Sequence, residues 1–375
     1  MYNINSHYQT IFSYLKNIVH HRRMLYLFPY GSTGVENIEV LNDNHAKSNQ
    51  VIDEGPLFIF YDQEPIHAEF NYILFDHIKQ NFRSPFVLVT TEEDSEPVQK
   101  IKEKYGWKTV SYFHHIFAAS DWYRGYRYDE GISPPDQRTI KKKFITFNRI
   151  TGNSRVYRSL FIAELQKRNL LWFGNVSYSK VCPVHGDFTK NLLAAVEENK
   201  ISIKQAKESI KLIELIDNRL RIDCIHDEFI ENDSMTLGPL HKLMESFVYV
   251  VTETCFWETK KHLTEKIFKP IVAKQPFILL GCANNLEYLK SYGFKTFDTW
   301  WDESYDNIQD PIERLKAVVD ILENICNHDN NTLENKLVEM QSVLEHNYNL
   351  FYSKDFIDNA WLELKEQLRL SVGKY

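Results

Sequence analysis

An α/β fold built on two doubly wound parallel sheets is predicted by three features of this sequence. Short apolar runs recur along the chain with amphipathic stretches between them. The runs are apolar throughout instead of alternating, as in strands covered on both faces. At 375 residues and 43% apolar content, the chain can fill two cores of ordinary size.

In order, residues 6–19 predict a helix, with Ile11, Leu15, Ile18 and Val19 at helical spacing. Strands are predicted over 24–28, 57–61, 86–90 and 109–113, with helices over 70–79 and 97–105. These elements define a first domain, residues 1–140, closed by the turn-rich stretch YDEGISPPDQRT (128–139) read as a linker. The alternation restarts with strand 144–148, helix 154–168 and strand 171–174, followed by a charged helical region over 188–217.

The stretch from Phe247 to Gly281 is the clearest unit: strand 247–252, a polar loop, a helix opened by Thr264-Glu265-Lys266, and strand 276–280. Pro270 falls too deep in that helix for a first-turn proline and predicts a kink. Amphipathic segments 311–326 and 333–350 and a last helix, 355–370, complete a second domain (141–353) and a closing segment (354–375).

A net charge of −7 and a pI near 6.1 argue against a protein that coats nucleic acid through bulk electrostatics. The basic clusters at 20–23 and 141–143 read as solvated loops. No apolar run is long enough to span a bilayer, and the N-terminus is polar from its second residue, so a cytoplasmic protein without a membrane span is expected. Five scattered cysteines suit a reducing compartment.

Three constellations carry possible chemistry. In FIFYDQEPI (58–66) a strand ends in Asp62 and Glu64, where a desolvated carboxylate can serve as a general base; the competing reading is a pair of acids that cap the next helix. His114 and His115 follow another strand, as proton carriers or as ordinary buried histidines. KFITFNRITGNSRVYR (143–158) places Asn148, Arg149 and Arg155 around a helix N-terminus, and arginine clamps a diphosphate bidentately. Lys266 stands at a similar strand-loop-helix corner, where N–H groups and the helix dipole favour phosphate; by itself, Thr264 is equally an N-cap and Lys266 a solvated charge. Cys182-Pro-Val-His185 has metal-like spacing but no partner pair, and GxGxxG and Walker loops are missing, so no metal and no bound cofactor are expected.

VTETCFWETKKHLTEKIFKPIVAKQPFILLG resembles the donor-binding segment of fucosyltransferase-like and exostosin-like glycosyltransferases, and ITFNRITGNSR is similar to their upstream segment. The DQEP, NR and TEKIFKP segments also resemble those of glycosyltransferase-like proteins of large bacteriophages. The likeness covers residues 141–300, and the TEK core is its most specific part. It implies a GT-B fold, two facing Rossmann-like domains, with the closing helix packed back on the first and a nucleotide-sugar held mainly by the second. It carries Lys266 and Arg155 onto diphosphate-contacting positions, Glu265 onto a position near the donor ribose, and Glu253 onto the acidic strand end; Thr264, Asn148 and Arg149 complete the donor set. The acidic segment TETCFWE departs from the fucosyltransferases' run, which leaves the donor open between UDP- and GDP-linked sugars.

The expected function is a metal-independent, inverting glycosyltransferase with Glu64 as base and Asp62 as its nearest competitor. Its acceptor is left open among a glycan, a small molecule and a hydroxymethylated DNA base. The rival is a nucleotide- or sugar-binding protein without turnover, or a structural interaction protein with the same fold.

Overall fold

The computed structural model describes residues 4–18, 23–27, 38–41, 56–66, 68–81, 86–216, 220, 222 and 235–372. The chain divides into two compact units, one of Met1–Asp121, Thr259–His262 and Lys354–Tyr375, the other of Trp122–Glu258 and Leu263–Ser353. The boundary at Asp121 precedes the stretch 128–139, which therefore belongs to the second unit and carries a 3-10 turn, Pro135–Gln137.

The first unit begins with α1 (Ile4–Ile18), β1 (Arg23–Leu27), β2 (Ile38–Leu41) and β3 (Leu57–Tyr61). It continues through α2 (Ala68–Asn81), β4 (Phe86–Thr90), α3 (Glu96–Tyr105), β5 (Lys108–Ser111) and α4 (His114–Trp122). The sheet order is β2-β1-β3-β4-β5, parallel except for β2, which pairs antiparallel with β1. The parallel strands advance in one direction only, so this sheet has no reversal of winding among the described strands, unlike the doubly wound expectation. Right-handed crossovers then place α2 and α3 on one face. There Leu57, Ile59 and Leu88 pack with Leu74, Phe75, Ile78, Val98 and Ile101. Tyr8 of α1 meets Phe60 on the other face, with ring centroids 5.6 Å apart. Local signals fix α3: the Ser95 hydroxyl accepts from the Val98 N–H, Pro97 sits in the first turn, and Gly106 ends the helix at φ 70°.

The second unit contains β6 (Lys142–Asn148), α5 (Tyr157–Lys167), β7 (Gly174–Tyr178), the small hairpin β8 (Val181–Cys182) and β9 (Gly186–Asp187), then α6 (Phe188–Glu197) and α7 (Ile203–Glu214). After them come α8 (Leu240–Met244), β10 (Ser246–Thr252), α9 (Phe268–Val272), β11 (Phe277–Leu280), α10 (Asn285–Ser291), α11 (Pro311–Cys326), α12 (Asn330–Glu339) and α13 (Gln341–Phe351). Its sheet order is β11-β10-β6-β7, all parallel. The winding runs outward from β6 to β7, returns across β6 to β10 and goes on to β11. The reversal therefore lies between β6 and β10, where open α/β sheets bind ligands at the strands' carboxyl ends.

Two of the elements that differ from expectation lie away from the strand ends. The strand predicted at 171–174 is a 3-10 turn, Leu171–Phe173, and β7 starts at Gly174, where the backbone passes so close to the Phe144 ring that a Cβ would lie 2.4 Å from it. The helix predicted over 333–350 is two helices meeting at Met340. The last helix, α14 (Lys354–Val372), belongs to the first unit, where Lys108 Nζ donates to the Ser371 carbonyl (2.8 Å) and Trp361 packs on Phe117 and His7. No described helix is long and apolar enough to cross a membrane.

Candidate functional site

The reversal point of the second sheet gathers most of the donor residues expected from the sequence. Strands β6 and β10 lie side by side, and the Thr252 hydroxyl donates to the Phe147 carbonyl at their carboxyl ends (3.1 Å). Asn148 ends β6 and Glu253 directly follows β10, both with 0% exposure. The loops beyond them also meet, through Trp257 Nε1 donating to the Ser154 carbonyl (2.9 Å).

Glu253 organises the loop. Its carboxylate accepts from the Thr264 hydroxyl (2.6 Å), the Thr264 N–H (3.2 Å) and the Thr254 N–H (3.1 Å). Burial raises its pKa above the ordinary carboxylate value, while Lys266 and the Thr264 hydroxyl act in the opposite sense. Lys266 donates to Glu265 (2.9 Å) and to the hydroxyls of Thr264 (3.1 Å) and Thr254 (3.3 Å), and keeps 29% of its side chain exposed. Lys266 is therefore neither a free surface charge nor a buried one; its ammonium is held at the mouth of a loop whose acids lie behind it.

The helix opened by Thr264 is shorter than expected. A 3-10 turn, Glu265–Ile267, precedes the single α-turn of α9, so its dipole is small and attraction for an anion rests chiefly on Lys266. The same geometry resolves Pro270. It lies in the first turn of α9, where its missing N–H would have had no intrahelical partner, and no kinked long helix forms.

On the β6 side, Arg155 closes a 3-10 turn (Asn153–Arg155) ahead of α5 and is half-buried, while Arg149 is exposed at the end of the strand. Asn148 Nδ2 donates to the Thr146 hydroxyl (3.3 Å); its Oδ1 is buried without a hydrogen-bond partner, as is Thr151 Oγ1. His185, on the hairpin, packs against Gly152, where a Cβ would come within 2.4 Å of the His185 Cβ. Burial and the nearby Arg155 charge lower the His185 pKa. Burial pushes the Cys182 thiol up, yet N–H groups of Thr151, Val184, His185 and Gly152 outweigh it and leave its pKa below the ordinary thiol value. Among the described residues no three or more His, Cys, Asp or Glu side chains group so as to hold a metal.

Two residues of this site escaped the sequence reading. Arg158 spans both strand ends, donating to the carbonyls of Ile150 (3.0 Å), Thr252 (2.7 Å) and Glu253 (3.1 Å). Tyr157 donates to the Glu253 carbonyl (2.5 Å), and burial raises its pKa to about 12, so it stays a neutral donor. The available signal was YR at the start of an otherwise apolar helix: an arginine with 4% exposure needs several acceptors.

In the first unit, Asp62 has 1% exposure and both carboxylate oxygens are taken, one by the Tyr8 hydroxyl (2.5 Å) and the other by the Tyr112 hydroxyl. Tyr112 also bonds His7 (3.2 Å) and His114 (3.0 Å), forming a closed polar knot. Glu64, two residues on, is half-buried in the bend after β3. His114 and His115 are buried on α4.

The chain matches no family, no curated protein and no solved structure with which it was compared.

Proposed function

We propose that the protein is a nucleotide-sugar-dependent glycosyltransferase of GT-B architecture whose second unit holds the donor. The observation that carries this reading is the cluster of Glu253, Thr264 and Lys266 after β10, beside the reversal point, with Arg155 in the loop that follows the neighbouring strand β6. There, cationic side chains and hydroxyls surround the strand ends where such sheets take nucleotides. Departure of a sugar leaves charge on a nucleoside diphosphate. Lys266 and Arg155 are the groups suited to stabilise it, with electrostatic stabilisation as the main lever. Arg158 and Tyr157 hold the carbonyls beneath them, so the donor loop meets its ligand already ordered.

An inverting transfer also needs a base for the acceptor hydroxyl. Of the two carboxylates considered, Glu64 is the one we assign to this role, because Asp62 is committed to two tyrosine hydroxyls. UDP- and GDP-linked sugars are the donors of choice, and a glycan, a small molecule or a hydroxymethylated DNA base the acceptor.

The test is a thermal-shift panel of UDP-, GDP-, ADP- and CMP-sugars on wild type and Lys266→Ala. A ligand at about 100 times its dissociation constant stabilises the fold by roughly 2.7 kcal/mol. The expected result is a rise in melting temperature with at least one donor that shrinks in the variant; no shift with any donor overturns the reading.

A further inference from the structure

A cavity of about 150 Å³ lies within the second unit, away from the donor loops. Its floor is Phe247, Ile321, Ile325, Leu333 and Met340, its wall is Trp300 and Trp301, and its mouth carries Asp302, Asn324, His328 and Lys336. Phe247 is the second residue of β10 and Glu253 follows the strand's last residue, so six extended steps separate them, about 20 Å. The cavity therefore serves the opposite end of the sheet from the donor loops.

We propose that this cavity is a second binding site, for the ring of one neutral monosaccharide unit. Size sets the first limit: an apolar cavity of about 150 Å³ takes a single six-membered ring such as benzene. The walls set the second. Two half-buried indoles line the cavity, and an indole is the side chain that packs best on the C–H face of a pyranose. Trp300 is held in place by Nε1 donating to Glu339 (3.2 Å), and Trp301 by packing on Phe297 at 5.3 Å.

The mouth decides the class. Asp302, Asn324 and His328 are exposed and Lys336 half-buried, so donors and acceptors of both charge signs surround the opening. A plain aromatic ring would desolvate these groups without pairing them, and a phosphate would meet Asp302. A polyol pairs with both kinds. The site stands independently of the donor reading, since none of its residues belongs to the β6 or β10 carboxyl ends.

The experiment is a saturation-transfer NMR titration of the full chain with methyl glucoside, methyl galactoside and methyl mannoside, with benzyl alcohol and methyl phosphate as controls of class. At least one glycoside is expected to saturate, with transfer strongest at its C–H face. Met340→Trp, which fills the cavity, should weaken it by about tenfold or more, and Trp300→Ala, on the half-exposed wall, should do likewise if Met340→Trp fails to fold. Lys266→Ala should leave it unchanged, because that substitution acts at the donor loop. The proposal is overturned by the absence of saturable transfer from all three glycosides, by benzyl alcohol or methyl phosphate saturating where they do not, by a folded Met340→Trp or Trp300→Ala protein that binds as wild type does, or by loss of binding in Lys266→Ala.

Discussion

Glu92→Gln should cost the first unit a large fraction of its stability. Glu92 and Lys260 form an ion pair at 2.8 Å with both side chains fully buried, and the same carboxylate accepts from the Ile66 N–H (2.6 Å) and the Ser95 hydroxyl. The amide keeps the shape but removes the negative charge that faces the Lys260 ammonium, which also donates to the Ile66 carbonyl (3.2 Å). Breaking one partner of a buried pair typically costs about 3–5 kcal/mol, against a total stability of roughly 5–15 kcal/mol. For a unit of this size the melting temperature should fall by on the order of 10 °C. Lys260 lies in the Thr259–His262 segment, which also pairs through Glu93 N–H to the Lys261 carbonyl (3.0 Å) and Lys261 N–H to the Glu93 carbonyl (2.8 Å). Hydrogen exchange at the Lys261 amide should therefore speed up in the variant. Adding Lys260→Met removes the buried cation as well, so the double variant should recover part of the loss, with a coupling above about 2 kcal/mol in a double-mutant cycle. A single-variant cost below about 1 kcal/mol, or costs that simply add, would refute a charge-specific role for the pair.

Three further outcomes follow from the geometry. Burial holds the His7 and His114 pKa values below the ordinary histidine value, the His114 ring adding to the effect at His7 and Asp62 opposing it at His114, so both are neutral when folded. The unfolded chain takes up those protons first; this stability is complete above about pH 6.5 and is lost as pH falls below it, by up to about 1.4 kcal/mol per unit for each histidine. Melting curves between pH 7.5 and pH 5 should show it, with a flatter slope in His114→Asn. Gly152→Ala should destabilise the second unit by about 1–3 kcal/mol in urea titrations, because its Cβ would strike His185 and push the hairpin outward. Glu64→Gln should lower turnover by roughly two to four orders of magnitude at saturating donor while leaving donor affinity and fold intact; Asp62→Asn should instead lower the melting temperature, since it disturbs the Tyr8 and Tyr112 bonds.

The legible parts of this molecule were those set by local chemistry. Strands β3, β4 and β10 announce themselves as largely unbroken apolar runs, and α3 by its Ser95, Pro97 and Gly106 punctuation. Strand β7 did not, because GNVSY is polar by composition and is buried by tertiary partners, Asn175 bonding Ser246 and Tyr178 bonding Ser159. The short antiparallel β2 carries no signal that distinguishes it from a loop, and the break at Met340 depends on packing, not on a proline or glycine.

The donor corner was partly readable, since Lys266, Glu253 and Arg155 flank strand ends in the sequence itself. Its brace was hidden: Arg158 and Tyr157 bond backbone carbonyls of β10 and its loop about a hundred residues away, which no local pattern records. The difference between Asp62 and Glu64 was likewise invisible, because it rests on tyrosines from α1 and from the end of β5.

The most direct measurement of the central claim is release of nucleoside diphosphate from a nucleotide-sugar by purified protein, first without acceptor and then with candidate acceptors. We expect slow release by wild type with at least one UDP- or GDP-linked donor, faster release with a matched acceptor, and a rate lower by about tenfold or more in Lys266→Ala, the loss expected for a charge-assisted contact worth about 1.5–3 kcal/mol. Release no faster than in protein-free buffer for every donor and acceptor, from protein that is folded and monodisperse, would contradict the account.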